Sequence, residues 1–302
     1  MSRELATPQP WPRVRRQSDL ERDGSWLHQA HAQARRLAWA ALGALARPPA
    51  QKEWVQFQFY HWVLDDQRPV FRQQLAALRR YGDFLSLDDA ITALQSPAGI
   101  GGRYFCVTFD DGFEHGYTNA APLLAEFKVP AAFFIPTQYV GLDLDRDWQE
   151  IAPFYERSWS EYEGVFEFLD WDQCRQLAAA GFTIGSHTHS HRRLTALPPE
   201  EAEKELSRSK LEIEARLGRP CRHFCCPWGK RGWDFDPAVH PEMAHRTGYD
   251  SFLTAEEGLS LRGDSVYHIR RTACEPDLSP LMLRYALFPP LRRLLGGPGQ
   301  NR

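Results

Sequence analysis

Two adjacent aspartates, three histidines at alternate positions and a Cys-Cys-Pro-Trp-Gly run lie far apart in the chain, yet each follows a short apolar stretch that reads as a strand. Tyr104 to Phe109 ends in Asp110-Asp111-Gly112. Neighbouring carboxylates repel each other and lose solvation when buried, so a pair at a strand end is cheap only if a cation neutralises one of them. Taken alone, the same three residues suit an exposed polar turn equally well. Phe182 to Ser186 runs into His187-Thr188-His189-Ser190-His191. Histidines four apart can meet on one side of a helical turn, and two imidazoles plus one carboxylate are a familiar ligand set for a catalytic zinc that keeps a position open for water. A lone histidine pair is more often structural, but such a pair after one strand and an aspartate pair after another together point to a metal. Phe224-Cys225-Cys226-Pro227-Trp228-Gly229 follows a further strand, and its Pro and Gly suit a shaped loop that exposes a backbone N–H. Phe59-Tyr60-His61-Trp62 ends the earliest strand and supplies a histidine, the residue type suited to proton transfer near neutral pH.

These residues need a scaffold that gathers strand ends. β-rich runs at Gln56 to Tyr60, Tyr104 to Phe109, Ala131 to Ile135 and Phe182 to Ser186 alternate with helical patterns over Val70 to Arg80, Asn119 to Phe127 and a segment entered through Pro198-Pro199 and left at Gly218. Further strands are predicted at His223 to Cys226, Ser251 to Thr254 and Tyr267 to Arg270. Strand–helix alternation with near-continuous apolar strands implies a parallel sheet buried on both faces, and a (β/α) barrel fits best. Active sites of such barrels are built by the loops after the strands, which is where all four motifs fall. Residues 141–170 interrupt the alternation with an acidic, aromatic stretch, read either as a lid over the site or as an accessory helix on the barrel surface.

With those residues in view, the chain resembles the polysaccharide deacetylase family, which has the NodB-homology fold and is similar to carbohydrate esterase family 4. Residues 106–116 (CVTFDDGFEHG) resemble its TFDDG motif, residues 186–194 (SHTHSHRRL) its His-Ser/Thr-x-x-His motif, and CPWG its proline-aromatic-glycine motif. The similarity covers about residues 55–275. It implies a distorted (β/α) barrel in which Asp111, His187 and His191 bind a divalent metal, zinc first among candidates, and Asp110 is the general base. His61 resembles the Tyr-His motif of members with an N-terminal general acid, and Arg271 the late arginine that steadies the catalytic aspartate. Pro227 and Trp228 are implied at the substrate and oxyanion position. Many relatives carry an arginine before that proline, where this chain has Cys225 and Cys226, which leaves Arg271 to substitute. The alternative acid, in a late Leu-x-His, corresponds here only to Val266-Tyr267-His268, so His61 is preferred to His268.

The activity so implied is removal of an N-acetyl group from an amino sugar or glycan by a metal-dependent hydrolase. The partner would be an acetylated sugar, a glycan or a sugar-linked precursor. One alternative is hydrolysis of another C–N amide such as a sugar formamide. Another is a non-catalytic carbohydrate-binding protein, which predicts a broken ligand set, whereas all four core residues are present. Trp62, Phe113, Tyr117, Trp171 and Trp228 are candidate stacking faces for sugar rings.

Composition bounds the rest. A formal net charge of -3, from 36 basic and 39 acidic residues among 302, offers no electropositive excess for a nucleic-acid backbone. Six cysteines are too sparse for a disulfide scaffold and favour a reducing compartment, the cytoplasm. Cys221, Cys225 and Cys226 with His223 match no usual zinc-knuckle spacing and read as small core residues. The apolar run Leu37 to Ala46 has the outline of a signal-peptide core but comes late in the chain. It is read as an amphipathic helix from about Ser25, with Trp26, Leu37, Ala41 and Leu45 sharing a face, and a peripheral membrane contact has little support. The expected organisation is an N-terminal extension over residues 1–54, a catalytic barrel over 55–290 and a tail over 291–302. The sequence leaves the oligomeric state open.

Overall fold

The computed structural model describes residues 12–20, 26–158 and 164–288. In chain order it contains α1 (Gln17–Leu20), α2 (Trp26–Leu45), β1 (Trp54–Tyr60), α3 (Arg68–Leu78), β2 (Asp83–Phe84), α4 (Leu87–Gln95) and β3 (Arg103–Phe109). A π-helical turn (Gly116–Ala120) leads into α5 (Ala121–Glu126), followed by β4 (Ala131–Ile135), α6 (Trp148–Ser158), α7 (Trp171–Ala179) and β5 (Thr183–Ser186). The remainder is α8 (Pro199–Leu217), β6 (His223–Cys225), α9 (His240–Arg246), β7 (Ser251–Leu253), β8 (Arg271–Ala273) and α10 (Pro280–Leu287).

The strands pair in parallel in the order β7-β6-β5-β4-β3-β1-β8, with β2 lying beside β3. Near-closure into a barrel comes from the segment entering β8, where Leu253 and Ile269 form a parallel bridge and Thr254 N–H donates to the Ile269 carbonyl at 2.8 Å. Alternate strand residues divide between two apolar clusters, which is the signature of a sheet covered on both sides. Phe105, Val107 and Phe109 of β3 pack on one side with helical residues such as Phe71, Leu124 and Leu206. Cys106 of the same strand joins Phe57, Phe134, Cys225 and Leu253 on the other.

Two predicted elements are displaced. The last strand was expected over Tyr267 to Arg270 but lies at Arg271–Ala273, where Phe57↔Arg271 and Phe59↔Ala273 pairing with β1 sets the register. The helix expected over Asn119 to Phe127 begins as the π turn, with Gly116 placed so that a Cβ would come within 3.0 Å of the Phe133 ring.

α2 exists as expected, but its buried face differs. Leu37 and Leu45 are 72% and 71% exposed, while Trp39, Ala40 and Ala46 face the protein. The determinant is Gly43, which touches α10 so closely that a Cβ would sit 1.8 Å from the Leu281 carbonyl oxygen. Close backbone approach fixed the face, where hydrophobic periodicity had suggested another. The side chain of Trp26, Ser25, residues 1–11 and the tail over 291–302 lie outside the described residues.

The stretch over 141–170 carries α6, whose Ile151, Phe154 and Tyr155 are buried with Phe113, Tyr139, Phe166 and Phe168. It is a packed accessory helix, and its inner edge reaches the strand-end loops: the Phe154 ring lies 4.8 Å from that of His191.

Candidate active site

Each motif emerges from the C-terminal end of a strand. Asp110 extends β3 by donating its N–H to the Tyr60 carbonyl at 2.9 Å, after which Asp111 (φ 68) and Gly112 (φ 67) both adopt the left-handed conformation and turn the chain sharply. Gly112 is needed there because a Cβ would meet Ile135 Cγ2 at 3.1 Å on top of the φ penalty. After β5, His187 N–H donates to the Ile135 carbonyl at 3.0 Å, and Thr188 (φ 66) and His191 (φ 53) are left-handed. The two histidines therefore meet through a strained loop, and the helical turn suggested by their spacing does not form. Trp228 (φ 55), after β6, is left-handed as well. A non-glycine residue costs about 1–2 kcal/mol in that region, so this concentration of strain marks a site held in place by its surroundings.

Asp111 Oδ1 lies 3.3 Å from His187 Nε2 and 3.1 Å from His191 Nε2, and all three side chains are buried. His187 Nδ1 donates to the Cys225 carbonyl at 2.8 Å, which orients the ring and leaves Nε2, facing Asp111, as the nitrogen that would bind a cation on losing its proton. His191 is clasped between the rings of Phe154 and Trp228, the latter 4.6 Å away, and its Nδ1 has no partner among the described residues. Two imidazoles and one carboxylate, converging in a buried pocket and fixed from behind, fit a divalent cation well, which would take the place of the protons they share. Burial opposes ionisation of Asp111, yet the hydrogen-bonding histidines hold its carboxyl well below the usual range.

Asp110 is gripped differently. Arg271 donates to both of its oxygens, at 2.8 and 2.7 Å, and gives two further N–H groups to Thr108 Oγ1 at 3.0 Å and the Thr254 carbonyl at 2.8 Å. The guanidinium is 1% exposed and lies 4.5 Å over the Phe59 ring. Burial pushes the Asp110 carboxyl up, but the charge and hydrogen bonds of Arg271 prevail and hold it below the ordinary value. Cys225 places Sγ 3.7 Å from both Asp110 oxygens. The structure thus brings Arg271 to Asp110, and the Cys225 thiol, pushed up to about 11 mainly by burial, stays protonated.

A cavity of about 290 Å³ opens over these groups, lined by Asp110, Asp111, His187, His191 and Arg271 together with His61 and Trp228. His61 Nε2 lies 3.9 Å from Asp111 Oδ2, with 29% of the side chain exposed. His268 is elsewhere, paired through Nε2 with Glu256 at 2.5 Å. No acceptor among the described residues takes the Trp228 backbone N–H, and Gly229 N–H donates to the Pro227 carbonyl at 2.6 Å to tighten the loop. Of the five stacking candidates, Trp62 and Trp228 line the cavity. Phe113 is core, Tyr117 donates to Gln176 on the barrel's outside, and Trp171 lies under Arg216. Among the described residues, no set of three ligands forms from Cys221, Cys225, Cys226 and His223.

Glu275 also lines the cavity and went unread in the sequence. Burial raises its pKa, with His61 opposing. Strand alternation from Arg271 through Ala273 to Glu275, all three on the cavity, is the signal that could have found it.

A family model described as Polysaccharide deacetylase matches residues 100–250, half of the chain. The YxkH protein of Bacillus subtilis (strain 168), itself assigned by name to the polysaccharide deacetylases, is 24% identical over 173 residues, 57% of this chain. The match covers 52% of that protein, so the chain spans about half the length of this curated relative. Among solved structures, IcaB from Ammonifex degensii is 26% identical with a TM-score of 0.63, over 78% of this chain and 98% of that one. The Streptococcus pyogenes deacetylase PplD, in complex with acetate, shares the fold at 20% identity and a TM-score of 0.61, over 79% and 100% of the two chains.

Proposed function

The chain belongs to the polysaccharide deacetylase family, and from that premise we propose that it is a metal-dependent carbohydrate N-deacetylase, hydrolysing the acetamide of an amino sugar within a glycan or sugar-linked precursor. The observation that carries the reading is the pairing, in one cavity, of an Arg271-clamped Asp110 with the Asp111–His187–His191 ligand set. Zinc is our choice of cation, because two imidazoles and a carboxylate around a buried pocket suit it. When bound, such a cation polarises the acetamide carbonyl and acidifies a water.

The protein's own groups supply the remainder. Arg271 keeps Asp110 ionised and fixed in orientation, so the carboxylate accepts the proton of the attacking water as general base. The clamp makes Asp110 a weaker base than a free carboxylate, and this cost is tolerable where the water is already acidified. The Trp228 N–H donates to the carbonyl oxygen as negative charge develops there. His61 then protonates the departing amine, which leaves poorly as an anion. Six free, buried cysteines support a reducing compartment such as the cytoplasm.

The test is product release with metal content measured in parallel. Purified protein should hold about one divalent cation per chain and liberate acetate from N-acetylated sugars. His187→Ala and His191→Ala should lose both the metal and the activity. Formate without acetate would move the reading to a formamide, and metal retained in both variants would overturn the ligand assignment.

A further inference from the structure

The apolar stripe of α2 that its periodicity assigns to the core is turned outward. Around the helix axis Ala34, Leu37, Ala38, Ala41, Ala44 and Leu45 fall within one arc, and all six are exposed, Leu37 and Leu45 at 72% and 71%. The opposite side is already occupied: Trp39, Ala40 and Ala46 pack on the barrel, and Gly43 touches α10. From residue 34 to its end the helix is therefore apolar on the face it buries and again on the face it shows to solvent. A surface helix ordinarily keeps polar residues on its outer face. Single exposed apolar residues need no partner, whereas a continuous row of them marks an interaction surface.

Charge distribution identifies the kind of partner. Residues 24–52 and 278–302, the segments that contain α2 and α10, hold eight basic residues and no acidic one, in a chain whose formal net charge is -3. Gly43 lies against Leu281, so these two acid-free segments meet on one side of the barrel. Arg35 and Arg36 precede Leu37, Arg47 follows Leu45, and Arg35, Arg36, Arg47 and Lys52 are all exposed. Arg36 is tied to Asp277, the acidic residue just before α10, at 2.7 Å. A second copy of the chain matches this face poorly. A two-fold contact would lay one apolar row on the other and bring the same arginines together with no acidic residue of either segment between them. An anionic bilayer matches both features, since acyl chains receive the leucines and alanines while headgroup phosphates receive the arginines. Among the described residues no helix is long and apolar enough to cross a membrane, so α2 would lie along the surface.

We infer that the outer face of α2 docks on an anionic phospholipid bilayer, with Leu37 and Leu45 inserted at the headgroup boundary and Arg35 and Arg47 against the phosphates. Neither leucine lines the active-site cavity, so docking and hydrolysis are separable and the inference stands independently of the deacetylase reading.

The experiment is co-sedimentation of the full chain with vesicles of phosphatidylcholine alone and of phosphatidylcholine mixed with phosphatidylglycerol, at low and high salt. Wild type should pellet with the mixed vesicles, remain in solution with phosphatidylcholine alone, and be released as salt rises. Leu37→Gln combined with Leu45→Gln should lower the affinity for mixed vesicles by roughly tenfold or more with an unchanged circular dichroism spectrum. Arg35→Gln combined with Arg47→Gln should weaken binding and shrink its salt dependence. Wild type that ignores the mixed vesicles, binds both kinds equally, or is matched by the leucine variant would overturn the docking face. Sedimentation velocity covers the rival occupant: a dimer that the leucine substitutions dissociate, in a protein that leaves vesicles alone, would assign the stripe to a second copy and overturn the bilayer.

Discussion

At the scale of the residue, the Asp110–Arg271 pair carries the sharpest consequences. Breaking a buried ion pair from one side leaves a charge without compensation, so Arg271→Met should cost about 3–5 kcal/mol of stability at neutral pH, measurable by chemical denaturation. The sign of the pH effect follows from the depressed Asp110 pKa. In wild type the pair's contribution is present above the unfolded carboxyl pKa and is lost as pH falls through the lower, folded value. With Met in place, burial is opposed only by the lesser pull of His187 and His61 and raises that pKa, so the acid limb of kcat/KM should move to higher pH. An acid limb left where wild type has it would argue against Asp110 as the base. His61→Ala should cut kcat by ~100-fold or more while metal content stays intact, in the range usual for loss of a general acid. His268→Ala, whose side chain is engaged with Glu256 outside the cavity, should behave like wild type. The motif residues were legible because each lies directly after its strand, where local sequence dictates the turn. Phe154 and Glu275 were less so, because their places beside His191 and His61 depend on contacts between distant segments.

Elements were read well where one periodicity spoke alone. β4 was found to the residue at Ala131–Ile135, and α8 between its prolines and Gly218, because a continuous apolar run and a helix with clear start and stop signals leave little competition. α7 was missed although its start is encoded in a reciprocal capping box between Asp170 and Gln173, hidden at the end of the acidic stretch. The buried face of α2 was misread because nothing in its hydrophobic pattern announces that Gly43 must touch Leu281. That contact makes a direct prediction. Gly43→Leu, a better helix former in isolation, should weaken docking of α2 on α10 and lower the melting temperature by several degrees, whereas Leu37→Gln on the exposed face should leave stability within about 0.5 kcal/mol of wild type. Thermal unfolding of the two variants side by side decides between the faces.

At the scale of the whole molecule, the (β/α) barrel expected from strand–helix alternation is the one observed, and its quality differs around the circumference. β1 and β3 pair over seven residues, while β7 and the loop after it meet the chain entering β8 less regularly, through the Leu253–Ile269 bridge and the backbone hydrogen bonds of Phe252 with Val266 and Ile269, Thr254 with Ile269 and Glu256 with Arg271. Arg271 spans that narrow join, its side chain fastened to Thr254 on one side and to Asp110 on the other. Edges where backbone pairing is irregular open locally at lower free energy than continuously paired strands. Here such an opening would let go of the guanidinium that keeps Asp110, the proposed general base, in position. On the proposed activity, turnover should therefore fail before the protein comes apart: in a urea titration it should fall at concentrations where far-UV circular dichroism still reports a full complement of secondary structure. Amide exchange around Ile269 should accelerate over the same interval. Coincident curves would mean that the join is as firm as the rest of the wall. If they separate, the thin closure acts as a mechanical fuse, tying catalytic competence to the integrity of one edge of the barrel.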